Sequence, residues 1–192
     1  MRIFQVLFIL GIIAFIGGLI GLIVTISKKK PKKVPIIVMV ISALMILGGG
    51  AVSAFNFLAL EATGGNLGVD EIKYVKAVED SFSKLIDESN VYGGLVESYQ
   101  AADGNYDEQW ASDFQESCDR LVEYSDDIKK VEGNTDSQLY KEINIVADSY
   151  NQIGKESPEA YFTNDEEKQM DLLLKAADAF DATMNIQEIL DF

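Results

Sequence analysis

The chain has no histidine, a single cysteine and three prolines in 192 residues, and no acidic side chain precedes Glu61. Each absence closes a class of function. Without histidine, the common imidazole-based metal sites and the Ser-His or Cys-His nucleophile pairs cannot be built. With Cys118 as the one thiol, neither an intrachain disulfide framework nor a lipoprotein anchor is expected. There is no phosphate-cradling glycine loop, no nucleophile elbow and no metalloprotease helix. Val, Ile and Thr never cluster in alternation, so no strand is expected. What remains is an all-α chain without a catalytic, cofactor-binding or metal-ligating set.

What is present is sharply divided. Residues 3–27 and 34–60 are two apolar runs with no ionisable side chain, separated by Lys28, Lys29, Lys30, Pro31, Lys32 and Lys33. As a helix the first run is about 37 Å long against a hydrocarbon core of roughly 30 Å, long enough to span with some tilt. The second is longer still, with Pro35 in the tolerated first turn. Two such runs in succession would need a soluble shell far larger than this chain supplies, so residues 1–60 are predicted to form a two-span transmembrane hairpin turning at 28–33. Gly17 with Gly21, and Gly49 with Ser53, supply small-residue notches through which the two backbones can approach. The same notches would also serve self-association of hairpins.

Short lysine-rich loops stay in the cytoplasm, and five lysines outweigh the lone Arg2. Both termini are therefore expected outside the cytoplasmic membrane, in a multi-pass protein of the cell membrane. A competing reading takes the second run as a secretory signal cleaved after Ala54, with the lysines as its basic leader. Residues 61–69, rich in glycine, read as a flexible linker, and 70–192 as an acidic helical domain. From Glu61 onward ten Lys and Arg stand against 31 Asp and Glu, a net of −21. Such a surface repels nucleic acid and anionic headgroups and leaves cations or basic partners as candidates.

The acidic part reads as an antiparallel four-helix bundle. From Asp70 to about Ala102, Val75, Val78, Phe82, Leu85, Tyr92, Val96 and Tyr99 recur at steps of three and four, broken only at Ser89, with a kink expected at Gly93-Gly94. Asp103-Gly104-Asn105 ends that helix, and Asn105 with Glu108 matches a capping box for a second, carrying Trp110, Phe114, Cys118, Leu121 and Ile128. Thr135 with Gln138 opens a third, through Leu139, Ile143, Val146, Tyr150 and Ile153, expected to end at Gly154 and Pro158. Thr163 with Glu166 opens a fourth, whose seam is read as Met170, Leu173, Ala177, Phe180 and Met184.

Few residues carry chemistry. Asp103, Asn105 and Asp107 occupy the first, third and fifth places of a calcium-loop pattern, which then fails where Glu108 replaces the required glycine and Phe114 the bidentate glutamate. Helix capping accounts for them. Cys118 falls on an apolar seam and reads as a buried, inert thiol. The candidate partner surface is Trp110 and Tyr106 with Asp103 and Asp107, aromatic and acidic groups around one turn.

The glycine-punctuated first span, the KKKPKK turn, Trp110, the Tyr150-Asn151 pair and Met170, Leu173 and Ala177 give the chain a layout that resembles uncharacterised small cell-envelope membrane proteins of Gram-positive bacteria (Firmicutes). Gly133-Asn134-Thr135 stands where such domains often carry a proline. The resemblance implies a non-enzymatic, surface-displayed helical binding module, with an envelope protein, a basic peptide or a wall component as partner and no cofactor. From a different class comes the reading of an oligomerising hairpin that serves as a transporter or channel accessory subunit; it would gain from charges at mid-membrane, and the runs contain none.

Overall fold

A computed structural model describes residues 67–190, which form four α-helices: α1 Val69–Ala101, α2 Glu108–Lys129, α3 Gln138–Phe162 and α4 Glu166–Leu190. The hairpin (1–60), the lysines Lys28, Lys29, Lys30, Lys32 and Lys33, the notches Gly17, Gly21, Gly49 and Ser53, and the junction after Ala54 lie outside the described residues. Among the described residues there is no strand, and no helix is long and apolar enough to cross a membrane.

α1 starts at Val69, inside the segment read as linker. Gly68 is its extended N-cap residue, and the Gly68 N–H donates to Glu71 Oε2 at 2.9 Å. The seven apolar positions expected on its seam are all buried, with Tyr74 and Ile86 added. Ser89, at the break, is buried too and satisfies its hydroxyl by donating to the Ile86 carbonyl at 2.7 Å. The helix runs on through Gly93 and Gly94 without interruption.

The caps differ from the expected ones by a few residues, always toward a side chain placed one turn before the N–H it accepts. Asp107, not Asn105, caps α2, taking the Trp110 N–H at 2.8 Å. Ser137, not Thr135, caps α3, accepting from Tyr140 N and donating to Glu71 on α1. At α4 the cap is Asp165, which accepts from the N–H groups of Glu167 and Lys168. Thr163, expected there, instead donates its hydroxyl back to the Glu159 carbonyl at the end of α3.

The largest departure is in α3, which does not stop at Gly154 but continues through it and through Pro158 to Phe162. A Cβ on Gly154 would sit 2.6 Å from the Cys118 carbonyl oxygen and 2.8 Å from a Val122 methyl, so the glycine is there to let α3 lie directly on α2. Pro158 deprives the Gly154 carbonyl of its regular helical partner, so the proline's missing hydrogen bond falls one turn back, at the position of closest contact.

Side-chain pairs set the directions. Arg120 of α2 meets Glu88 of α1, Lys129 of α2 meets Asp148 of α3, and Lys168 of α4 meets Glu159 of α3, so successive helices run antiparallel. α3 is central, with thirteen buried residues in 25, and α4, of equal length, buries five. No Cα of α4 comes within 8 Å of one in α1 or α2, so the bundle is open on one side instead of closing into a ring. The seam of α4 also differs from the expected one. Leu172, Ala179, Ala182, Thr183 and Ile186 are buried, whereas Met170 and Ala177 are exposed. Alanines and a threonine suit a close approach to α3, and the Thr183 hydroxyl is absorbed by the Ala179 carbonyl at 2.8 Å.

Across α1 and α2 one charged group is taken inside. Glu88 accepts from Ser117 Oγ at 2.5 Å and from Arg120 Nε at 2.6 Å, while Arg120 also reaches Glu116. The hydrogen-bonded Glu88 carboxylate holds the guanidinium above its usual range. With the carboxylate buried and Arg120 a third exposed, the pair fixes the register of α1 on α2 while one of its members stays wet.

Candidate functional site

Two surfaces stand out, at the end of the bundle and along its open side. The first is built where α1 and α3 terminate and α2 begins. Asp103 and Asn164 both adopt the left-handed conformation that short polar side chains tolerate, and Gly104, at φ 81°, follows Asp103. Tyr99 stitches the two turns together. Its hydroxyl lies 3.1 Å from the Tyr161 carbonyl and 3.2 Å from Asn164 Oδ1, and its own carbonyl accepts from Gly104 N.

Onto this frame the sequence places seven aromatic rings. Trp110 stacks on Phe114 with centroids 4.6 Å apart and lies 5.1 Å from Tyr106 and 5.2 Å from Tyr99; Tyr161 and Phe162 meet Phe114 edge-on. The indole N–H is 3.0 Å from both the Leu95 carbonyl and the Ser98 hydroxyl. Offset and edge-on pairs of this kind each add about 0.5–1.5 kcal/mol beyond area burial, so the end is rigid. Tyr92 closes the cluster from below through a 2.7 Å bond to Ser157, and burial raises the phenols of Tyr92 and Tyr161 well above their ordinary range.

The four residues expected to form a partner surface are thus brought to one turn, but in different roles. Trp110 has one face on Phe114 and is itself partly buried. Asp107 is spent on the α2 cap and Asp103 on the turn after α1. The rings left open to solvent are Tyr106, 44% exposed, and Phe162, 37% exposed, whose centroids are 5.8 Å apart. Phe162 belongs to the last turn of α3 because the helix continues through Pro158. The aromatic run Tyr161-Phe162 beside the second turn was the signal available for it.

The second surface is an open groove of about 490 Å³ between α3 and α4. Positions 142, 145, 149 and 152 form one stripe of α3, and 175, 178, 182 and 185 form the facing stripe of α4. Its acids are Glu142, Asp148, Asp178 and Asp181, against a single Lys175. Asp178 with Asp181 is an acidic pair that by composition alone would suit a loosely held divalent cation; α4 sets both on the wall of this groove, and among the described residues they are not part of a metal-ligating group.

Cys118 is fully buried and burial pushes its thiol up to about 12, so it is not a nucleophile at neutral pH. Among the described residues no three acidic or sulfur ligands converge as a metal site. No protein-family model, curated protein or solved structure matches the chain.

Proposed function

We propose that the chain is a non-enzymatic binding module of a bacterial cell envelope, held in the cytoplasmic membrane by the hairpin 1–60 and presenting its acidic helices on the outer side. The observation that carries this reading is the division of charge at Glu61. Before it stand two uncharged runs of membrane length around five lysines, and after it a surface of net −21. The aromatic end gives the module its direction. Val69 and Tyr99 are separated by nearly the whole of α1, about 45–50 Å at 1.5 Å per residue, so Tyr106 and Phe162 are the exposed rings farthest from where the chain enters the bundle. A rigid aromatic pair with asparagine and aspartate beside it suits a wall component or the surface of another envelope protein.

Cys118 makes the test clean, because its buried thiol stays silent while an engineered one reacts. In intact cells a membrane-impermeant maleimide should label Asn134→Cys, in the exposed turn before α3, and should label Lys30→Cys only after permeabilisation. Labelling of Lys30→Cys from outside would invert the topology and remove the proposal. A photo-crosslinking residue in place of Phe162 should give a discrete adduct that the same residue in place of Val91, also exposed, does not give.

A further inference from the structure

We propose that the groove between α3 and α4 is a binding site for a basic peptide, whose lysine ammonium groups are received by Glu142, Asp178 and Asp181 while their methylene stems lie on Ile145 and Ala182. The inference shares with the preceding section the view of the chain as a binding module, but it does not depend on membrane topology or on the aromatic end.

Three observations point to a cationic occupant. Glu142 is 4% exposed, yet its one hydrogen bond among the described residues is a neutral amide N–H from Gln138, and no cation stands at ion-pair distance from it. One neutral donor leaves most of the acceptor capacity of the carboxyl group open toward the groove. Ser149, also nine-tenths buried, lines the same groove with its hydroxyl unpartnered among the described residues. Asp178 and Asp181 are exposed on the facing helix and carry no ion pair or hydrogen bond there either. The two bases nearby are already engaged: Lys129 holds Asp148 at 2.5 Å, and Lys175 bonds Gln152 with Glu156 at 3.8 Å.

The spacing selects the class of cation. The acids are spread along stripes of ten residues, about 15 Å of helix, and do not converge as a metal site requires. A linear multivalent cation fits, with charges several ångströms apart. The groove also offers groups that a simple cation has no use for: the half-exposed Ile145 for an aliphatic stem, and the Ser149 hydroxyl and Asn185 amide for a peptide backbone. These favour a lysine-bearing peptide over a free polyamine.

The test uses the full chain in detergent micelles, titrated with an acetylated, amidated Lys-Ala-Lys-Ala-Lys peptide, its glutamate counterpart, and spermidine, by isothermal calorimetry. The lysine peptide should bind, weaken with added salt, and lose about tenfold in affinity in the surface variant Asp178→Asn/Asp181→Asn. Glu97→Gln/Glu108→Gln, which removes two exposed acids at the far end, should leave it unchanged. Ile145→Ser should weaken the peptide but not spermidine. Glu142→Gln should weaken binding further; because Glu142 is buried, that arm is read only alongside an unchanged helical melt, and the Asp178/Asp181 arm stands without it. Absence of peptide binding, equal loss in the two double variants, or spermidine binding as tightly as the peptide would each overturn the assignment. A failed titration leaves the maleimide topology result untouched, so the two readings fall separately.

Discussion

α3 and α4 have the same length, 25 residues, and are joined by a three-residue turn, yet one is enclosed and the other leans. α3 is packed against α2 on one face and α4 on another and sends side chains to α1, so half of it is buried. Among the described helices α4 has only α3 at backbone distance; Met170 and Leu174 are exposed on it, and another of its faces lines a groove. The difference teaches where function can be placed in such an array. The enclosed helix carries the larger share of the core of the two. The leaning helix carries Lys168 and Lys175, which tie it to α3, and Asp178 and Asp181, which have no partner among the described residues.

The comparison is broken most violently at Gly154. Valine there would drive a branched side chain against the Cys118 carbonyl, a backbone atom with nowhere to go, and should destabilise by about 3 kcal/mol or more in urea unfolding. Next comes Arg120→Met, which leaves Glu88 buried with Ser117 alone. A loss of about 2–3 kcal/mol is expected, below the figure for fully buried pairs because Arg120 is a third exposed.

Alkali should act through the enclosed core. Cys118 is pushed up to about 12 in the folded chain from an ordinary 9.0, and the phenols of Tyr74 and Tyr150 to about 12 from 10.0, all chiefly by burial. Between those limits the unfolded chain has released protons that the folded chain still holds. Stability is therefore complete below pH 9 and falls as pH rises toward 12, by about 1.4 kcal/mol per pH unit for the cysteine alone. Cys118→Ala should remove the onset between pH 9 and 10 and leave the steeper fall above 10. A melt series by circular dichroism across pH 8–11 reads both.

Two small effects sharpen the contrast. Asp165→Ala, which removes the cap of α4, should cost about 1 kcal/mol and loosen α4 without disturbing α3, as amide exchange would show. Gly94→Ala should stabilise by up to about 1 kcal/mol, since a Cβ there meets nothing within 4 Å and the helix gains a better former.

How far the sequence could be read follows the same division. In α1 and in the first part of α3, long side chains repeat at three and four, and Val75 to Tyr99 and Leu139 to Ile153 are buried where periodicity puts them. The pattern misleads at Gly154 and Pro158, which have the chemistry of a helix end; Gly154 instead serves close contact with α2, and α3 continues through Pro158. In α4, Leu172, Leu173 and Leu174 are consecutive and cover most of the helix circumference, so hydrophobicity alone does not choose a face. The choice fell to alanines and Thr183 that approach α3 closely. For the sites, Trp110 and Tyr106 are legible as an aromatic turn, whereas the stacking of Trp110 on Phe114 and the facing acids of α3 and α4 exist only once helices are placed side by side.

Native-state hydrogen exchange of the full chain, with and without the lysine peptide, tests the account most directly. The account predicts that amides of α3 around Val146 to Ile153 exchange only by global unfolding, that α4 exchanges faster, and that the peptide raises protection along 175–185 while the turn from Asp103 to Asp107 is unchanged. Equal protection of α3 and α4 in the free protein, or peptide-induced protection at the aromatic end instead of the groove, would contradict it.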